Sequence, residues 1–116
     1  MFGMSDLVRV KEASDLKELL KGAISNGGFG MTLRSGEMAV LHTAKGPKRI
    51  ESVIPTHEEI TGLLRQLTGS RCVREFRDNG VTRFMVPLEG AVHLVGAARL
   101  EGDNIHFEIR RTVERR

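Results

Sequence analysis

Four histidines, one cysteine and a few serines are the residues of this 116-residue chain whose types suit chemistry. His42, His57, His93 and His106 are far apart, and none makes the His-x-x-x-His spacing that sets two imidazoles on one helix face to hold a metal. His93 and His106 lie on stretches that can pair across a turn, which leaves a composite metal site open; cross-strand packing or exposure is the simpler expectation. His57-Glu58-Glu59 has the composition of an acid–base cluster, yet its place at a helix start accounts for the carboxylates as capping groups. Cys72 stands alone, which excludes an intrachain disulfide and a cysteine-rich zinc site; with no activating motif beside it, it is expected to be buried. Ser25, Ser35 and Ser70 lie outside any Gly-x-Ser-x-Gly elbow. Asn26-Gly27-Gly28-Phe29-Gly30 is glycine-rich, but it follows a helical pattern and precedes a strand pattern, the reverse of a phosphate-binding loop, and no Lys-Ser or Lys-Thr closes it. No catalytic, cofactor-binding or metal-ligating residue is therefore assigned. No cofactor is expected, and the chain is read as not an enzyme.

Charge leaves a binding role open, beside the simpler reading of a solvated basic tail and a solvated turn. Eighteen Lys and Arg against fifteen Asp and Glu leave a formal charge of +3. Arg110, Arg111, Arg115 and Arg116 put four arginines into the last seven residues, and Lys45, Lys48 and Arg49 gather around Gly46-Pro47. Of these, Arg110, Arg111, Arg115, Arg116, Lys48 and Arg49 are the candidates for a partner interface. A polyanion is the rival partner, disfavoured because so small a charge binds nucleic acid weakly at physiological salt and because Trp and Tyr are absent as stacking platforms. No apolar run approaches the roughly 18 residues that span a bilayer. Met1 to Val10 carries Asp6 and Arg9, unlike a secretory signal, so the chain is expected to be cytoplasmic and not inserted in a membrane.

The elements that must position these groups follow from periodicity. Residues 1–13 show no sustained period and are read as an N-terminal arm. Ser14 and Asp15 offer N-caps to a helix whose apolar stripe is Leu16, Leu19, Leu20, Ala23 and Ile24. Alternation then predicts a hairpin, Met31 and Leu33 on one face, a turn at Ser35-Gly36, and a second strand over 37–42. Gly46-Pro47 is read as a break, and a third strand is expected over 48–54.

Pro55-Thr56-His57-Glu58-Glu59 is a capping box opening a helix with the stripe Ile60, Leu63, Leu64 and Leu67, stopped at Gly69. Ser70 is expected to cap a further helix carrying Cys72, Val73 and Phe76. Three β stretches follow, over 81–86, 91–100 and 105–113, separated by turns at 87–90 and 101–104. Gly96-Ala97-Ala98 within the second of these lets a helix or a small ligand approach the sheet closely. The order predicts one α+β domain over 14–113, with an antiparallel sheet of about six strands, two to three helices packed on it, and a basic tail at 114–116.

The run Ile54 to Leu64, then Arg74-Glu75-Phe76, Gly80, the β meander and the closing Ile109-Arg110-Arg111, resembles the N-terminal domain of the secretion-type ATPases. That family includes the type IV pilus retraction (twitching motility) motors and the bacterial type II secretion ATPases. The resemblance covers Leu19 to Thr112. It implies a PAS-like module that packs on a motor domain, with a pilus or secretion assembly component as partner. The family's usual Ala-Ser-Asp-Leu-His-Leu strand stands here as Gly28-Phe29-Gly30-Met31-Thr32-Leu33, and its Arg-Phe-Arg-Val strand as Ala91-Val92-His93-Leu94, so the acid, histidine and arginines of those strands have no counterparts. No phosphate-binding loop of a motor core is present in the sequence. The chain is thus expected to be either one domain of a longer ATPase or a free-standing relative. A non-catalytic interaction or regulatory domain is the leading reading. A nucleic-acid binder using the C-terminal arginines, and a small enzyme with no nameable site, are its rivals.

Overall fold

A computed structural model describes residues 13–25, 28–87 and 92–113, which form three helices and one six-stranded antiparallel sheet. The expected arm and the 114–116 tail, with Arg115 and Arg116, lie outside the described residues, apart from Ala13. The elements in chain order are α1 (Ala13–Ser25), β1 (Gly30–Arg34), β2 (Ala39–Thr43), β3 (Gly46–Ile50), α2 (His57–Thr68), α3 (Ser70–Asn79), β4 (Val81–Pro87), β5 (Val92–Glu101) and β6 (Asn104–Val113). The sheet order is β3-β2-β1-β6-β5-β4, so the two three-stranded halves meet where β1 pairs with β6. This is the predicted α+β architecture.

All three helices pack on one side of the sheet. That side receives Met31 and Leu33 from β1, Ala39 from β2, Leu94 and Ala98 from β5, and Ile105, Phe107 and Ile109 from β6, every one of them buried. Leu16 and Leu20 of α1, Ile60, Leu63 and Leu64 of α2, and Val73 and Phe76 of α3 close the layer from above. The period of two along the strands and of three to four along the helices is what brings these residues to one core.

The capping box forms in full: Glu59 N–H donates to Thr56 Oγ1 at 3.1 Å, and Thr56 N–H donates to Glu59 Oε1 at 2.8 Å. Two other helix starts differ from expectation. Ser14 and Asp15 lie within α1, whose described backbone is helical from Ala13, and Gly69 rather than Ser70 occupies the N-cap of α3, with no side-chain cap. Cys72 is half-buried against the core rather than fully enclosed.

The third strand is displaced from its predicted range. The β2–β3 turn falls at Ala44-Lys45, where Thr43 Oγ1 accepts from Lys45 N–H and donates to the Gly46 carbonyl, so Gly46 and Pro47 belong to the strand instead of breaking it. Pro47 is tolerated because β3 is an edge. The strand stops at Ile50 because Val53 N–H turns back to the Ile50 carbonyl. The Val53 carbonyl then accepts from Ala39 N–H, which carries Val53 into the core.

Gly96 explains the small-residue stretch in β5. A Cβ at Gly96 would lie 2.6 Å from both the Glu108 carbonyl oxygen and the Phe84 ring. The space is therefore taken by Phe84 of the paired strand, which sits 5.8 Å from the Phe107 ring, and not by a packed helix. Neither is it free for a ligand on that side.

Candidate interaction surface

Because paired residues of an antiparallel ladder share a face, the register assigns every charged strand residue to a side. Arg83 pairs with Ala97, Ala97 with Glu108 and Glu108 with Thr32; Arg49 pairs with Val40, the partner of Thr32. Arg99 and Arg34 both pair with His106, and Arg110 pairs with Val95 and Gly30. All of these lie on the side away from the helices. Five arginines, Arg34, Arg49, Arg83, Arg99 and Arg110, thus face outward from five different strands, against Glu101 and Glu108 on the same side. Among the described residues no element packs over this face.

At its centre, small residues lower the surface. Gly96, Ala97 and Val95 of β5 form the floor of a groove of about 550 Å³, bordered by Arg83, Arg110, Glu108, Thr32, His42 and Phe29. Thr32 Oγ1 and His42 Nε2 are hydrogen-bonded at 2.7 Å across its wall. Met85, 61% exposed, and Val81 stand on the outer strand beside it. Arg49, Arg83 and Arg110 take part in none of the ion pairs among the described residues. Their guanidinium groups are exposed donors suited to carboxylates or phosphates.

Toward the β5–β6 turn a second group is more fully satisfied. His106 is buried; its Nδ1 lies 3.2 Å from Arg99 Nη2 and 3.2 Å from Glu101 Oε2. Arg99 Nε and Nη2 also donate to Glu101 Oε2 at 3.2 and 3.1 Å. These hydrogen bonds from His106 and then Arg99 hold the Glu101 carboxyl below its ordinary value of 4.5. His106 Nε2 is 3.0 Å from Glu108 Oε2 without the alignment of a hydrogen bond.

The residues singled out in sequence are separated by this geometry. Arg110 and Arg49 reach the open face, three strand spacings across and two residues along, or about 16 Å apart. Their chain neighbours Arg111 and Lys48 point to the helix side, since Arg111 pairs with Leu94 and Lys48 with Leu41. The two basic groups read as units are therefore each split by the alternation of the strand. His93 pairs with Thr112, six residues along β5 from the Arg99 that pairs with His106, which separates the two histidines by roughly 20 Å and removes the composite metal site. Among the described residues no group of three His, Cys, Asp or Glu side chains is placed to hold a metal ion, and no helix is long and apolar enough to cross a membrane. Arg34, Arg83 and Arg99 were not singled out by spacing, because they come from three separated strands. Only the alternation Val81, Arg83, Met85 against Thr82, Phe84, Val86 marks one of them in sequence.

No protein-family model and no curated protein matches the sequence. Solved structures do. An ATPase of Legionella pneumophila, DotB, superposes with a TM-score of 0.70 at 14% identity, over 92% of this chain and 30% of that one. The pilus retraction motor PilT, solved with bound ADP, superposes with a TM-score of 0.66 at 14% identity, over 88% of this chain and 29% of its own. The fold is shared with these two ATPases. The chain spans about 30% of the length of each, so the likeness is to one part of a larger molecule.

Proposed function

We propose that this chain is a non-catalytic docking domain of the secretion-ATPase type, which packs through its open sheet face on a motor domain or a pilus or secretion assembly component. The observation that carries the reading is the five-arginine face on a fold otherwise found as about 30% of motor ATPases. Arginine and methionine are enriched at protein interfaces, where the guanidinium fork makes paired contacts to carboxylates while its planar body and the thioether bury apolar area. The favoured partner surface is therefore acidic and flat. Nucleic acid is disfavoured: a sheet that reads single strands does so by stacking bases on aromatic side chains, and Phe29 is the one aromatic bordering the groove among the described residues.

The chain does not turn over nucleotide on this reading, since its glycine-rich stretch precedes a strand rather than a helix and no Lys-Ser or Lys-Thr closes it. Calorimetry of the full chain with Mg-ATP tests this. Binding in the micromolar range, or phosphate release above the buffer rate, overturns the non-catalytic assignment.

A further inference from the structure

On the opposite side of the sheet, a cleft of about 600 Å³ opens between α1, the last turn of α2 and the ends of β4, β5 and β6. That volume is in the ordinary range for small-molecule sites, roughly 300 to 1,000 Å³. Its walls are apolar: Ile24 from α1, Leu67 from α2, and Val86, Val92 and Leu94 from the sheet. Along α1, Leu16 and Leu20 enter the core, while Lys17, Lys21 and Ile24, at i, i+4 and i+7, form the neighbouring stripe that borders the cleft.

Arg111 is the unexpected member. On β6 the helix-side positions run Ile105, Phe107, Ile109, Arg111; the first three are buried and apolar, and the fourth is a half-buried arginine paired with Leu94. Among the described residues its side chain has no hydrogen-bond or ion-pair partner, and its nitrogens keep contact with solvent, so the guanidinium can meet a ligand at the cleft. Lys21 meets Glu18 at 3.7 Å, but both side chains are well exposed, so the pair is weak and leaves the ammonium available. Among the described residues no carboxylate lines the cleft.

We infer that this cleft binds a small amphipathic anion, with an apolar body against Leu67, Val86 and Leu94 and an anionic head on Arg111 and Lys21. Among the described residues, three cations around apolar walls with no acid beside them complement that charge and shape. A cationic amphiphile would be repelled, and a neutral one would leave Arg111 unpaired. The site is independent of the docking face, which lies across the sheet, so the two stand or fall separately.

The test uses the full chain and decanoate below micellar concentration, with decyltrimethylammonium as the matched cation and 1-decanol as the matched neutral probe, followed by amide NMR titration and calorimetry. The expected result is saturable one-to-one decanoate binding with shifts around Ile24, Leu67 and Leu94, and no saturable binding of the cation. Arg111→Gln should weaken decanoate about tenfold while leaving 1-decanol unchanged, as loss of one charge-assisted contact predicts. Should Arg111→Gln fail to fold, the surface double variant Lys17→Gln/Lys21→Gln carries the test and should weaken decanoate in the same sense. Absence of saturable binding, equal affinity for the cation, undiminished decanoate affinity in whichever variant folds, or shifts confined to the open face overturns the assignment.

Discussion

The two faces of the sheet are cut from the same six strands, often from adjacent residues, yet they have opposite characters. Phe107 and Glu108, Ile109 and Arg110, and Leu33 and Arg34 are neighbours in the chain; the first of each pair is buried beneath the helices, and the second is exposed. The helix face is held by apolar burial, while the open face gathers five arginines from five strands. The difference teaches that the buried core and the exposed charge are separated here by a single-residue alternation. A residue's role is set by strand parity rather than by its sequence neighbourhood.

Substitutions that strike one face and spare the other should show this most strongly. Phe107→Ala removes a fully buried ring that touches Phe84 and lies at the middle of the sheet, and it should cost about 3 to 5 kcal/mol in denaturant unfolding. Arg83→Ala, two strands away on the other face, should change stability by no more than about 0.5 kcal/mol. A comparable loss from both would mean that the open face is not a free surface.

A smaller effect is expected at the seam between the halves of the sheet. A Cβ on Gly30 would lie 2.7 Å from Arg110 Cα and closer still to the Ile109 carbonyl, both backbone atoms that cannot swing aside. Gly30→Ala should therefore cost about 1 to 3 kcal/mol although the residue sits on the open side. Full stability in that variant would show that β1 and β6 can separate without penalty.

The smallest effect belongs to the His106 group. Glu101 has its pKa lowered in the folded chain, so its charged form stabilises the fold above the ordinary carboxylate value of 4.5, and that contribution is lost as pH falls through the depressed value. Glu101→Gln should give a flatter decline of melting temperature with acid than the parent, with the two curves converging at the acid end and the gap shrinking in high salt. Parallel curves would remove Glu101 from the account.

Much of the core was legible in the sequence. Alternation placed Met31 with Leu33, and Phe107 between Ile105 and Ile109, correctly, and the Thr56–Glu59 box marked its helix start to the residue because both halves of a reciprocal hydrogen bond are encoded locally. What local patterns did not carry was register. Gly46-Pro47 reads as a break by composition, but an edge strand has no ladder partner on its outer side for Pro47 to deprive. Gly96 reads as an opening for a helix or a ligand until pairing sets Phe84 across from it. The candidate surface was less legible than the core for the same reason. Clustering in the chain picked Arg110 with Arg111 and Lys48 with Arg49, pairs that strand geometry must divide, and missed Arg34, Arg83 and Arg99, which only the sheet assembles.

The central claim, that the open face and not the helix face is the docking surface, is tested most directly by affinity capture from the native cell with quantification of phosphate-binding-loop ATPases. Three forms of the full chain are compared: the parent, Arg83→Glu/Arg110→Glu on the open face, and Lys17→Glu/Lys21→Glu on the helix side, each shown to melt like the parent. The account predicts that a pilus or secretion ATPase is retained by the parent and by the helix-side variant and lost by the open-face variant. Retention by the open-face variant, loss by the helix-side variant, or capture of no such ATPase by the parent would contradict it.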